Sequence, residues 1–247
     1  MFPELIASDV VLTNAREVHG PVVAEHVIAL MFALAKRIPD AVRFQQTHVW
    51  GQRAMWESFP RPRELAGATV GLVGLGSIGR EVVQRVAALG MRVIAAREHP
   101  EKGTPPGVEQ VFAASRLDEL LSLSDYVVLC VPVTPSTQGV MNAARIAKMM
   151  PDACIINVGR GPLIDEAALI DALQDHKIGG AALDVFEKEP LPADSPLWGL
   201  DNLLITPHTA GLTDKLWERQ YALYAENLRR YLTGQELLGA VDKRKGY

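Results

Sequence analysis

The segment Gly74-Leu75-Gly76-Ser77-Ile78-Gly79 closes one apolar run and opens a helical pattern. In that setting the first glycine permits a tight turn and the second lets backbone approach a pyrophosphate. The third lets the helix pack closely on the strand. The N–H groups and dipole at the helix start then hold phosphate charge, so the spacing points to a bound dinucleotide. Eighteen residues past Gly79 stands Ala95-Ala96-Arg97-Glu98-His99. A site for NAD places Asp or Glu there, against the ribose 2′-hydroxyl. Arg97 is instead a planar fork suited to a 2′-phosphate, with Lys102 as a second cation nearby. This favours NADP(H) over NAD(H). A shift of one residue in register would put Glu98 at the ribose, so NAD(H) stays open.

Three more polar residues each follow an apolar run in the C-terminal half. Arg160 ends Ile155-Ile156-Asn157-Val158-Gly159-Arg160, Glu189 lies in the loop after Asp184-Val185-Phe186, and His208 follows Thr206-Pro207. Taken singly they read as an arginine on a turn, a solvated glutamate and a histidine capping a strand. In an open α/β sheet, however, the carboxyl ends of the strands face one crevice, and that is where ligands bind.

The elements that must position these residues are legible as alternation. Near-continuous apolar runs predict strands over 69–73, 92–96, 126–131, 154–158, 181–185 and 203–206, covered on both faces. Helical patterns between them span 78–89, 117–122, 142–149 and 166–174. Strands alternating with helices imply right-handed crossovers, hence an α/β fold with a doubly wound parallel sheet of the Rossmann type. A long apolar helix is expected over 19–37, stopped by Pro39, and an amphipathic one over 212–232, ending before Gly234. Residues 9–14 read as a strand with nothing ahead of it to pair with. The loop between Val185 and Leu203 carries Pro190, Pro192 and Pro196, and loops of that length are usually functional.

Composition narrows the function classes. The chain has 247 residues, enough for one large domain or a domain plus an appendage. Hydrophobic residues make up 48% and charged residues 22%, which excludes a disordered chain. A net charge of −4 without a basic stripe gives no footing for nucleic acid. Lys243-Arg244-Lys245 reads as a solvated tail. Cys130 and Cys154 lie in apolar runs, so buried free thiols are expected rather than a disulfide framework. The apolar stretch 22–34 is broken by Glu25 and His26 and is too short for a bilayer, and no export signal opens the chain. The expectation is a soluble, cytoplasmic protein away from membranes, with no metal site.

The motifs GLVGLGSIG, INVGRGPLIDEAAL, ALDVFEKEPL and LLITPHTAG, in this order, resemble those of the D-isomer-specific 2-hydroxyacid dehydrogenases. With VVAEHVIAL ahead of them, the resemblance covers nearly the whole chain. It implies a nicotinamide-binding domain inserted into a substrate domain and joined to it by two crossover helices, here 19–37 and 212–232. Residues 1–18 would be a remnant of the substrate domain, 19–210 the NAD(P)-binding domain, and 211–247 the return helix and tail. Members normally open with half a substrate domain bearing its own glycine-rich loop. Nothing of that kind precedes Met1-Phe2-Pro3-Glu4-Leu5, so an incomplete second domain is expected.

The resemblance also implies roles. Arg160 would bind the substrate carboxylate and polarise the adjacent carbonyl. His208 would be the general acid, and Glu189 would bond its other ring nitrogen and favour imidazolium. Asp184 would hold the nicotinamide carboxamide, while backbone around Val131-Pro132, Val158-Gly159 and Gly211 would line the cofactor with the glycine loop. The implied activity is hydride transfer between NAD(P)H and a small 2-oxo acid of the glyoxylate, hydroxypyruvate or pyruvate type. Formate dehydrogenases pair the histidine with glutamine, so Glu189 argues against that branch. The alternative is an NAD(P)-binding, dimerising fragment that turns nothing over. A homodimer is expected because helix 19–37 is apolar around most of its circumference and is followed by an arm bearing Trp50 and Trp56.

Overall fold

The computed structural model describes residues 2–244, so Lys245 of the basic tail lies outside the described residues. Seven strands among them form one parallel sheet: β1 (Thr69–Val73), β2 (Arg92–Arg97), β3 (Gln110–Ala113), β4 (Tyr126–Leu129), β5 (Cys154–Asn157), β6 (Gly180–Leu183) and β7 (Leu203–Ile205). Their order is β3-β2-β1-β4-β5-β6-β7, so the chain reverses direction across the sheet between β1 and β4. That switch point opens a crevice above the carboxyl ends of the strands. The helices are α1 (Pro3–Ala7), α2 (Arg16–Ala35), α3 (Ile38–Gln46), α4 (Gln52–Glu57), α5 (Ser77–Ala88), α6 (Leu117–Leu123), α7 (Ala143–Ile146), α8 (Glu166–Gln174) and α9 (Leu216–Leu232).

Side chains alternate across each strand, so the sheet divides the core into two layers. Tyr126 and Val128 of β4 face Val27, Met31, Val82 and Val86 of α2 and α5. Val127 and Leu129 face the opposite layer, with Leu120 and Leu121 of α6 and Leu169 and Leu173 of α8. Because both faces are covered, the strands carry unbroken apolar runs.

The structure departs from the expected elements at their edges. β3 is an additional edge strand of four residues, too short and too mixed in burial to leave a periodic signal. The residues expected to extend β4, β5, β6 and β7 leave the ladder and form the crevice loops instead. α7 is a single turn rather than a helix over 142–149. α2 ends at Ala35, and Arg37 takes a left-handed conformation at φ 54°. Pro39 therefore does not stop α2; it sits in the first turn of α3, where its missing N–H leaves no bond unmade. Residues 9–14 form no strand. A single antiparallel bridge joins Thr13 to Ala240, and Val241 N donates to Leu12 O at 2.9 Å, tying the front of the chain to its tail.

The apolar span of α2 is longer than the sequence suggested. Glu17–Ala35 is long and apolar enough, by length and composition, to cross a membrane. In this fold it packs along α5 and beneath β5 and β6, which is why so much of it is apolar. Cys130 and Cys154 are free, and burial pushes their thiols up to about 12 and about 11.

Candidate active site

The glycine turn has the geometry its spacing implies. Gly74 lies at φ 111°, and a β-carbon there would come within 2.8 Å of Val131 Cγ1 and 3.0 Å of Cys130 O. A β-carbon on Gly79 would overlap the Gly74 carbonyl, so only glycine lets α5 start this close to β1. At Gly76 the same test meets nothing within 4 Å. Gly76 is also the N-cap of α5 and offers no side chain to the first turn. An open space beside the N-terminus of a twelve-residue helix is a cradle for a pyrophosphate, and the residues present fit a dinucleotide. Leu75 and Ile78 turn into the core and hold the loop down. Ser77 packs against α2, where a β-carbon on Gly20 would lie 2.6 Å from its hydroxyl.

Arg97 is the last residue of β2, the end of the second strand where dinucleotide-binding folds place their ribose ligand. Its guanidinium donates to the Gly103 carbonyl, while its Nε is buried without a hydrogen-bond partner. Glu98 is exposed one residue further on, and Lys102 is exposed in the turn that follows. Val131 lies against Gly74, and Pro132 accepts at its carbonyl from the Thr137 hydroxyl at 2.7 Å. The Val158 side chain points into the core, which leaves only its backbone to face a ligand. Gly211 sits against His19 of α2, whose Nδ1 would be 3.3 Å from a β-carbon at that position.

Arg160, Glu189 and His208 converge although nearly fifty residues separate the first from the last. Arg160 stands exposed on the turn after β5, its guanidinium donating to Gly159 O at 2.7 Å. Asn157 shapes that turn from below: its amide donates to Arg160 O at 2.9 Å and its Oδ1 accepts from Gly159 N at 3.0 Å. A β-carbon on Gly161 would overlap the Phe186 carbonyl, so glycine is what lets the Arg160 turn meet the Glu189 loop. Glu189 Oε1 accepts from Phe186 N at 2.9 Å, and Oε2 lies 2.6 Å from His208 Nδ1. Burial works to raise the Glu189 carboxyl. The His208 bond, the Phe186 N–H and the His208 and Arg160 charges outweigh it, holding the group below the usual carboxylate range.

His208 occupies a left-handed conformation at φ 54°, with half of its side chain exposed. Asp184, only 1% exposed, lies beneath it and accepts from Thr209 N at 2.8 Å and Ala210 N at 2.9 Å. Asn157 escapes a search for reactive residue types, and so do Thr206 and His26, which also bond in this region. The signal for Asn157 was a polar residue inside an otherwise apolar strand. Among the described residues, no group of three or more His, Cys, Asp or Glu could hold a metal ion.

Comparison with known proteins agrees with this geometry. The family profile described as D-isomer specific 2-hydroxyacid dehydrogenase, NAD binding domain, matches residues 28–210. A D-3-phosphoglycerate dehydrogenase of Methanocaldococcus jannaschii is 38% identical over 92% of this chain, which covers 42% of that protein. A glyoxylate reductase of Thermofilum pendens is 36% identical, with 98% of this chain and 70% of that protein covered. The crystal structure of a D-isomer specific 2-hydroxyacid dehydrogenase from Xanthobacter autotrophicus Py2, in complex with NADPH and MES, superposes with a TM-score of 0.82. It is 36% identical, and the match covers 99% of this chain and 98% of that one. The chain thus spans about two-fifths of the phosphoglycerate dehydrogenase and nearly all of the NADPH-bound chain. The glycine cradle, the strand order and the profile together show that this chain belongs to the D-isomer specific 2-hydroxyacid dehydrogenase family.

Proposed function

We propose that the protein reduces a small 2-oxo acid, of the glyoxylate or hydroxypyruvate type, to the D-2-hydroxy acid with NADPH. One observation carries the reading: the 2.6 Å His208–Glu189 pair stands beside Arg160 on the crevice that the glycine cradle enters. The nicotinamide, when bound, supplies the hydride. Arg160 binds the substrate carboxylate through its fork of donors and withdraws electron density from the adjacent carbonyl. His208, with Nδ1 engaged by Glu189, presents Nε2–H and gives that proton to the carbonyl oxygen. Glu189 offsets the positive charge on the ring before transfer. Backbone at Val131, Pro132, Val158, Gly159 and Gly211 lines the cofactor. Asp184 uses only one bond at Oδ2, leaving a lone pair for the carboxamide N–H.

NADPH is preferred to NADH because a cation, Arg97, closes β2 and its buried Nε lacks a partner. The Xanthobacter relative with bound NADPH supports the same cofactor, and the Thermofilum glyoxylate reductase supports the substrate class. Two unpaired thiols suit a reducing, cytoplasmic setting. The protein works as a homodimer joined through its arm. Much of the apolar surface of α2 is used within the chain, but Trp50, Trp56 and Phe59 are 89%, 64% and 60% exposed. Absorbance at the nicotinamide band, with glyoxylate or hydroxypyruvate and each cofactor, tests the activity. Oxidation of NADPH is expected. Binding without turnover would select instead a nucleotide-binding module.

A further inference from the structure

His208 holds a backbone conformation that a β-carbon disfavours, and such residues persist where their surroundings over-determine them. Here the surroundings converge on one buried residue. Asp184 O accepts from His208 N at 2.8 Å. Its Oδ1 accepts from the Thr206 hydroxyl at 2.6 Å and from Thr209 N at 2.8 Å, and its Oδ2 accepts from Ala210 N at 2.9 Å. The Thr206 hydroxyl has a single proton, and that proton goes to Asp184. The 3.0 Å contact between Thr206 Oγ1 and His26 Nε2 therefore has the histidine donating. The same nitrogen lies 3.6 Å from Asp184 Oδ1. His26 belongs to α2 and Glu189 to the loop after β6.

We infer that Thr206 and His26 are positioning residues for proton transfer, acting through Asp184 to fix the turn that carries His208. The inference rests on the reading of His208 as the proton donor. Every group facing the Asp184 carboxylate is a donor, so the carboxylate draws residues 206–210 into one arrangement. His26 orients the Thr206 hydroxyl by donating to it. Glu189 then meets Nδ1 of a ring whose backbone is already placed. The two contacts divide the work: Glu189 holds the ring at Nδ1, and the His26–Thr206–Asp184 chain sets the position of its backbone.

Thr206→Val keeps the shape and removes the hydroxyl; Thr206→Ser keeps the hydroxyl. In the 247-residue chain, Thr206→Val is expected to speed amide hydrogen exchange at His208, Thr209 and Ala210. It should lower kcat at saturating NADPH by about tenfold to a hundredfold, as misplacement of a reacting group does. NADPH affinity should fall much less than kcat, since Asp184 keeps its bonds from Thr209 N and Ala210 N and its Oδ2 still faces the carboxamide, and Thr206→Ser should restore both exchange and kcat. His26→Leu should act in the same direction and add little to Thr206→Val, since both break one chain. Unchanged exchange in Thr206→Val, or a loss of NADPH affinity as large as the loss of kcat, would overturn the inference. His208→Gln separates the two failures. If it retains the parent kcat, the proton-donor reading falls, whereas the exchange measurement needs no turnover and judges the turn alone.

Discussion

Replacing Glu189 with Gln removes one negative charge and turns the acceptor at His208 Nδ1 into a donor. The side-chain oxygen can still accept from Phe186 N, now 2.9 Å away, so the loop keeps its anchor. The amide nitrogen then faces His208 Nδ1, where the carboxylate stood at 2.6 Å. The size of the effect follows from exposure. The two side chains are 51% and 33% exposed, so the pair is screened much as at a protein surface. Unit charges about 4 Å apart interact by roughly 1 kcal/mol in water and about 4 kcal/mol at an effective dielectric near 20. Taking the wetter end, about 1.4 kcal/mol corresponds to a tenfold change in rate.

The sign follows from which form each partner needs. Glu189 is held below the usual carboxylate range, so it stays ionised through neutral pH. Its contribution is present above the ordinary carboxylate value and is lost only as pH falls through the lowered one. If His208 gives the proton, the carboxylate facing Nδ1 offsets the charge of the ring that carries it. Without that charge kcat/KM should fall about tenfold at neutral pH, and the two enzymes should draw together only where Glu189 is itself protonated. The assay is kcat/KM for glyoxylate reduction against pH at saturating NADPH, parent beside Glu189→Gln. Superimposable profiles would show that Glu189 is only a loop residue.

Other perturbations test the remaining parts. His208→Gln should lower turnover by roughly 10²–10⁴ and leave cofactor binding nearly intact, as measured by nicotinamide fluorescence. Arg97→Asp should weaken NADPH about tenfold to a hundredfold and spare NADH, the worth of one charge-assisted contact. Equal effects on both cofactors would transfer the reading role to Glu98. Gly79→Ala should lower the midpoint of thermal unfolding, because its β-carbon overlaps the Gly74 carbonyl and α5 must move, a strain of about 1–3 kcal/mol. Gly76→Ala should leave the midpoint unchanged and abolish dinucleotide binding, since the new methyl group enters the open cradle. Trp50→Ala with Trp56→Ala should shift sedimentation toward the monomer mass; a monomeric parent would remove the dimer.

How much of this could be read in advance depended on whether a feature was periodic or singular. Six of the strands were legible because burial on both faces demands long apolar runs, which β3 at the edge does not need. Their carboxyl ends were overestimated for a physical reason. Cys130, Val131 and Val158 stay apolar after the ladder ends because they pack on the core, Val185 because it is buried, while Thr206 is held by bonds to Asp184 and His26 as the backbone turns away. Pro39 was read as a stop because proline breaks helix interiors, but the same residue is favoured in a first turn. In the site, the glycines were legible through backbone geometry alone. Arg160, Glu189 and His208 stand out only through the resemblance, because each is unremarkable where it stands in the sequence.

What Asn157 and Asp184 do for their turns was not legible, and their placement shows why. Asn157 closes β5 and bonds both Gly159 and Arg160; Asp184 follows β6 and bonds residues 206, 208, 209 and 210. Each is a buried polar residue at the carboxyl end of an apolar strand, and each is satisfied by the turn that carries Arg160 or His208. In sequence such a residue is only an interruption of an apolar run. In the fold it uses the cost of burying an unpaired polar group to enforce one turn geometry, since any other arrangement would leave the amide or carboxylate unsatisfied. Arg160 and His208 can therefore be exposed to solvent and still be fixed in place. Their order comes from Asn157 and Asp184, buried beneath them, and so the two exposed side chains need no packing of their own.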